Sequence, residues 1–190
     1  MDSRAQKKLQ RARLIEARAA LVDRAQLETA LQRRVADWLH HAGVHAVGFY
    51  FPIRGEPDLR SVMTAWLESD SRRVAALPVI VGEVLAFHTW TKDSPMRAGD
   101  FGIPVPAQGR AVQPECLLFP CLGFDAKRFR LGYGGGYYDR TLASLIPFPR
   151  VVGIARRQQW GAVDAALRRP RRNLERTSKC RITRSRPAGM

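Results

Sequence analysis

The stretch RLGYGGGYYDR, Arg130–Arg140, carries the strongest signal for the fold. Its eleven residues hold four glycines, three tyrosines, two arginines and an aspartate. Gly132, Gly134, Gly135 and Gly136 have no Cβ, so the backbone can take positive φ and approach a ligand closely, with several N–H groups converging on one anion. Tyr138, Leu142 and Leu145 recur at helical spacing and predict a helix over Tyr137–Leu145. The glycines then lie just ahead of a helix N-terminus, where free N–H groups and the helix dipole favour phosphate. Upstream, Cys116–Phe119 is a short apolar run ended by Pro120 and reads as a buried strand. Strand, glycine loop and helix in that order form a nucleotide-binding arrangement.

The loop is not a Walker loop, because no Gly-Lys-Ser/Thr follows at the required offset, and the dinucleotide fingerprint needs a tighter strand-to-helix connection. Glycines alone leave a plain glycine-rich turn as an equal alternative. The flanking chemistry favours an anion site. Arg130 can pair bidentately with a phosphate, and Asp139 is a hard oxygen ligand suited to Mg²⁺.

A chain of 190 residues with 45% hydrophobic content fits one domain with a sizeable core. No stretch approaches the roughly 20 apolar residues that span a bilayer, and MDSRAQKKLQRARL lacks the apolar core of a signal peptide, so no membrane association and a cytoplasmic location are expected. Cys116, Cys121 and Cys180 show no C-x-x-C spacing and are expected as reduced thiols rather than a disulfide framework or a zinc site. The net charge of +15 raises nucleic acid as a partner. Residues 167–190, however, hold nine Lys or Arg against one Glu, so +8 of that charge lies in the last 24 residues.

Taken in order, the chain alternates helices and short apolar strands. Between Arg4 and Leu21, Leu9, Leu14, Ala17 and Leu21 recur among basic residues and predict a basic amphipathic helix, on which Lys7 and Arg11 share a face at i, i+4. A second helix is predicted over Arg24–Ala42, with Leu27, Leu31, Val35, Trp38 and Leu39 inward and Gly43 as its stop. His45–Tyr50 reads as the first core strand. The loop FPIRGEPDLR, Phe51–Arg60, leads into a helix predicted over Pro57–Glu68, with proline in its first turn. Glu56 stands between Gly55 and Pro57 at the carboxyl end of that strand, the edge where ligands collect in open α/β sheets; by default it reads as a partner of the helix dipole. Arg73–Leu77, broken by Pro78, and Val84–Trp90 are further strands, in which Phe87 and Trp90 offer either a flat ligand surface or core packing. Ser94–Pro114 reads as a long Pro- and Gly-rich connection, and Arg150–Ala155 as another buried strand. Residues 167–190 have the composition of a disordered tail.

The segment LLFPCLGFDAKRFRLGYGGGYYDRTL, Leu117–Leu142, resembles the signature of the 5-formyltetrahydrofolate cyclo-ligase family, whose members are also called 5,10-methenyltetrahydrofolate synthetases. The resemblance runs from the N-terminal helix to about Trp160. It implies that Lys7 and Arg11 match a Lys-x-x-x-Arg pair contacting ATP, and that Arg130, Leu131, Gly132, Tyr133, Gly134, Gly135, Gly136, Tyr137 and Tyr138 complete the ATP site. It implies Asp139 as a Mg²⁺ ligand, and Phe51 and Glu56, with Tyr133, Gly134, Gly135, Gly136 and Tyr137, as the residues that hold a reduced folate. Asp125 is expected to brace the loop. The implied chemistry transfers the γ-phosphoryl group of ATP to the N-formyl oxygen; the neighbouring N10 then attacks the formyl carbon and phosphate leaves. Such a reaction needs positioning and charge neutralisation rather than a protein nucleophile. Two departures stand out. GIPVPA, Gly102–Ala107, lacks the Glu-Pro that commonly follows Gly-Ile in the family. After Trp160 the family's proline, His-Asp pair, final strand and second metal-binding aspartate are absent, as a shift of reading frame would produce; Asp164 and Glu175 stand in no matching context.

The expected architecture is therefore α/β, a Rossmann-like three-layer sandwich with a mostly parallel sheet, which the resemblance relates to sugar-isomerase-like folds. Residues 1–166 are expected to form a single domain and residues 167–190 a basic tail. The expected activity is ATP- and Mg²⁺-dependent conversion of 5-formyltetrahydrofolate to 5,10-methenyltetrahydrofolate by a monomer with no specific nucleic-acid partner. The alternatives are an ATP-binding remnant impaired in catalysis, and a basic nucleic-acid-binding module whose binding would weaken steeply with salt.

Overall fold

The structure, a computed structural model, describes residues 3–124 and 130–155. The expectations for Asp125, Trp160, Asp164, Glu175 and the basic tail lie outside the described residues. Two helices open the chain, α1 at Ser3–Ala19 and α2 at Arg24–His41, close to the limits set by their apolar periodicity. Strand β1, Ala46–Gly48, is followed by α3, Arg60–Glu68, and by the strands β2, Val74–Val81, and β3, Val84–Trp90. A hairpin of β4, Met96–Ala98, and β5, Pro104–Pro106, precedes β6, Ala111–Val112, and β7, Cys116–Pro120. A second hairpin, β8 at Gly123–Phe124 and β9 at Arg130–Leu131, leads to α4, Tyr137–Ser144, and β10, Arg150–Ile154.

The central sheet has six strands in the order β10-β7-β1-β2-β3-β6. The first four are parallel, β3 is antiparallel to β2, and β6 is antiparallel to β3, so the sheet is mostly parallel as expected. Period-2 alternation gives it two apolar faces. Ala75, Leu77, Cys116 and Leu118 pack with Val35 and Leu39 of α2 and Val62, Met63 and Trp66 of α3. Ala76, Phe87 and Leu117 face the other way and meet Tyr137, Tyr138 and Leu142 of α4. Helices thus cover both faces, the three-layer solution for a parallel sheet. A Cβ on Gly48 would stand 2.5 Å from Leu117 and 2.9 Å from Phe87, so the bare glycine lets those side chains meet over β1. Helix α1 docks apart from both layers, with Leu14 packed against Leu122 and Leu131.

In three places the backbone departs from the sequence expectation. The third helix starts at Arg60 rather than Pro57, because residues 57–59 are held by outside partners. The Tyr50 hydroxyl donates to the Pro57 carbonyl at 2.8 Å, and the Asp58 N–H donates to Glu28 Oε1 at 2.7 Å. Second, β2 runs straight through Pro78. The Ala76 carbonyl accepts from the Phe49 N–H on the β1 side, so Pro78, two residues on, turns its missing donor the same way, past the end of β1, where no ladder bond is lost. Third, the connection at 94–114 contains the β4–β5 hairpin and β6; β4 and β5 form an isolated two-stranded pair, with no second neighbour for Pro104 and Pro106 to disrupt.

Candidate functional site

The segments that follow β1 and β7 leave the carboxyl edge of the parallel sheet side by side, the place where open α/β sheets gather ligands. Helix α1 reaches onto both. In the glycine loop, Gly134 has φ 101° and Gly136 φ 72°, conformations that a side chain rarely tolerates. Gly132 and Gly135 do not take positive φ, so the special backbone falls on two of the four glycines. The N–H groups of Gly134, Gly135 and Gly136 donate to no group among the described residues.

Three side chains hold this loop. Arg11 Nε donates to the Gly132 carbonyl at 2.9 Å, and the guanidinium lies 3.1 Å from where a Cβ on Gly134 would stand. Arg140 donates from Nη1 to the Gly135 carbonyl at 3.0 Å and from Nε to the Glu83 carbonyl at 2.6 Å, tying the loop to the β2–β3 turn. Buried Thr141 accepts the Leu85 N–H and donates to the Tyr137 carbonyl, each at 2.8 Å. Lys7 lies one turn before Arg11, half-buried, and makes no hydrogen bond or ion pair among the described residues. Leu131 anchors the start of the loop through its buried side chain.

Arg130 and Asp139 meet as an ion pair at the start of α4. The Arg130 guanidinium also lies 4.7 Å from the centre of the Phe119 ring and 5.8 Å from that of Tyr138, which fixes its plane. The Asp139 side chain remains 42% exposed. Its hard oxygens fit a Mg²⁺ ion that keeps several waters and takes substrate phosphates; among the described residues no cluster of three His, Cys, Asp or Glu forms a fuller cage.

Glu56 is the buried acid of the site, 4% exposed. Left-handed Arg54 and Gly55, φ 47° and 72°, make the turn that folds it inward. Its Oε2 accepts the Ile53 N–H at 2.9 Å, while Oε1 has no partner. Burial pushes this carboxyl above its ordinary value, opposed by the Ile53 N–H, the Tyr133 hydroxyl and the charges of Arg18 and Arg54. A buried acceptor lacking a donor is costly, and this one can be satisfied by the N–H groups of a ligand. With α3 starting at Arg60, Glu56 lies outside the helix's first turn, and the dipole role no longer accounts for it. Phe51 is half-buried with the Arg60 guanidinium 4.8 Å over its ring. Phe87 and Trp90 are core residues, the latter edge-on to Phe49 at 5.0 Å, and offer no ligand surface.

Composition and motif concealed one residue of the site. Arg18 is 2% exposed and donates from Nη1 to the Tyr133 hydroxyl and from Nη2 to the Cys121 carbonyl, both at 2.8 Å. The available signal was its position: Lys7, Arg11, Leu14 and Arg18 form one helical stripe, so the arginine lies on the apolar side. Tyr133 stands under the Arg54 guanidinium at 5.4 Å, and its hydroxyl is pushed up to about 12 by burial and by the charge of Glu56. Tyr133 therefore belongs both to the glycine loop and to the surroundings of the buried acid. The arrangement can hold a polyphosphate beside a ligand rich in N–H donors. Among the described residues, no helix is long and apolar enough to cross a membrane.

Comparison with known proteins bears on this geometry. The model of the 5-formyltetrahydrofolate cyclo-ligase family matches residues 3–162. The 5-formyltetrahydrofolate cyclo-ligase of Haemophilus influenzae is 28% identical over 136 residues, 68% of this chain and 73% of that protein. The enzyme of the same name from Mycoplasma pneumoniae is 45% identical over 49 residues, 26% of this chain and 30% of the relative. Among solved structures, that of Aquifex aeolicus 5,10-methenyltetrahydrofolate synthetase superposes with a TM-score of 0.70 at 28% identity, covering 82% of this chain and 80% of that one.

Proposed function

The chain belongs to the 5-formyltetrahydrofolate cyclo-ligase family, and from that premise we propose that it converts 5-formyltetrahydrofolate to 5,10-methenyltetrahydrofolate, consuming ATP to ADP and phosphate. The observation that carries the reading is the unpartnered Glu56 oxygen, buried beside Tyr133 of the glycine loop. It supports a folate ring held by its N–H donors next to a triphosphate. The loop N–H groups with Lys7, Arg11 and Arg130 meet the phosphates, and Asp139 takes part in holding Mg²⁺, which when bound neutralises phosphate charge. In this reading Arg130 and Asp139, paired with one another in the structure, exchange that pairing for phosphate and metal.

No side chain of the site needs to act as a nucleophile. The γ-phosphoryl group passes to the N-formyl oxygen as ADP leaves, N10 closes on the formyl carbon and releases its proton to solvent, and phosphate departs with that oxygen to leave the methenyl cation. Both reacting nitrogens belong to one bound molecule, and such proximity is worth effective molarities of about 10⁵ M or more. Phe51 and Tyr137 supply apolar contact at the rim of the folate subsite.

Protein incubated with 5-formyltetrahydrofolate, ATP and Mg²⁺ should develop the near-ultraviolet absorbance of the conjugated methenyl product. A folded protein that binds ATP yet forms no product would instead be a catalytically impaired member of the family.

A further inference from the structure

Arg18 is a buried cation that no carboxylate pairs with directly among the described residues. A guanidinium keeps its charge at any ordinary pH and has no acceptor atom, and a buried charge is tolerated only against an opposite charge or dense hydrogen bonding. Two of its nitrogens donate, to Tyr133 and Cys121, while Nε has no acceptor among the described residues. The opposite charge close by is Glu56, itself buried and one partner short at Oε1. Tyr133 interacts with both, taking the Arg18 bond at 2.8 Å and feeling the charge of Glu56. Because a guanidinium only donates, the Tyr133 oxygen accepts from Arg18, and the hydroxyl proton is free for the ionised carboxylate.

Resting on the folate reading of Glu56, we propose that Arg18 is a positioning residue: by donating to Tyr133 it turns that hydroxyl proton to Glu56 and presents Oε1 to the N–H donors of the bound ring. The relay joins α1, the glycine loop and the folate turn. Since α1 also carries Arg11 on the Gly132 carbonyl, one helix sets both subsites. The charged and titratable groups that face Glu56 are Arg18 from α1, Tyr133 from the loop, Arg54 from its own turn, Tyr50 from the end of β1 and Tyr138 from α4. Arg54 is exposed, so Arg18 is the buried cation of the group.

The test follows the Glu56 carboxyl carbon by ¹³C NMR titration in the full chain, in wild type, Arg18→Met, Arg18→Lys, Tyr133→Phe and the Arg18→Met/Tyr133→Phe double variant, alongside KM for 5-formyltetrahydrofolate and for ATP. Arg18→Met and Tyr133→Phe should each move the Glu56 titration up by about one pH unit and raise the folate KM by about tenfold. The double variant should add little to either single change, because both break one relay. Arg18→Lys, which keeps the charge but not the two-pronged donation, should fall between. A folded Arg18→Met protein with an unmoved Glu56 titration overturns the proposal, and so does an Arg18→Met effect that persists undiminished in the Tyr133→Phe background. Should Arg18→Met fail to fold, Arg18→Lys and Tyr133→Phe make the same comparison, and an unmoved titration in both overturns it. A wild type that neither binds nor turns over 5-formyltetrahydrofolate removes the folate reading, whereas the titration by itself upholds or overturns the relay.

Discussion

At Gly134 one added methyl group meets two obstacles, a φ of 101° and the Arg11 guanidinium 3.1 Å away. Gly134→Ala should therefore cost about 1–2 kcal/mol of stability and weaken ATP binding by about tenfold. Gly135→Ala, whose backbone is ordinary and whose Cβ meets only the edge of the Tyr137 ring at 3.1 Å, should cost less. Calorimetric titration with ATP separates the two, and equal affinities in Gly134→Ala and wild type would remove this loop as the triphosphate site. Glu56 makes a prediction of another kind. Burial raises its folded pKa above the ordinary 4.5, so folate binding that needs the anion should fail on acidification earlier than an exposed carboxylate would allow. The effect on stability has the opposite sense. A raised folded pKa gives a contribution that is complete below the unfolded pKa and is lost as pH rises through the folded one. At about pH 7 the buried anion is then a net cost, and Glu56→Gln should fold no less stably than wild type while losing folate affinity, the acid limb of kcat/KM, and nothing of its ATP affinity. A variant that keeps the folate KM would return Glu56 to a structural role.

Elements were legible where their signal was local. The periodicity of α1, α2 and α4 lies in each helix's own residues, and the observed limits follow it closely. The course of β2 through Pro78 was not legible, because it depends on where the neighbouring β1 stops. Arg18 was hidden for a similar reason: a basic residue on a basic helix is assigned to solvent until the partner at residue 133 is known. The glycine loop and Glu56 were legible as types of chemistry, whereas Arg140 and Thr141 hold the loop through carbonyl and amide groups that carry no side-chain signature. Thr141 gives the test at this scale. Thr141→Val keeps the shape but leaves the buried Leu85 N–H without its acceptor, which should destabilise the chain by about 1–3 kcal/mol in urea unfolding. The same change frees the Tyr137 carbonyl from its tether, so ATP affinity should fall with it. Lost stability with ATP affinity intact would mean that α4 positions nothing in the loop.

For the whole molecule, the boundary of the domain is the open quantity. The family match ends at residue 162, and +8 of the net charge follows residue 166. A chain ending at residue 166 is expected to keep its melting temperature and ATP affinity, measured by thermal unfolding and calorimetric titration. A fall of several degrees would assign residues 167–190 to the domain. The long reach of α1 carries a further consequence, for biosynthesis. Arg11 and Arg18 find their partners 121, 115 and 103 residues further along the chain. On a ribosome adding about 5–20 residues per second, α1 waits on the order of ten seconds before the groove that receives it exists. Through that interval its apolar stripe and its arginines face the crowded cell, open to nucleic acid and to chaperones, and the site has no floor until this waiting helix comes home.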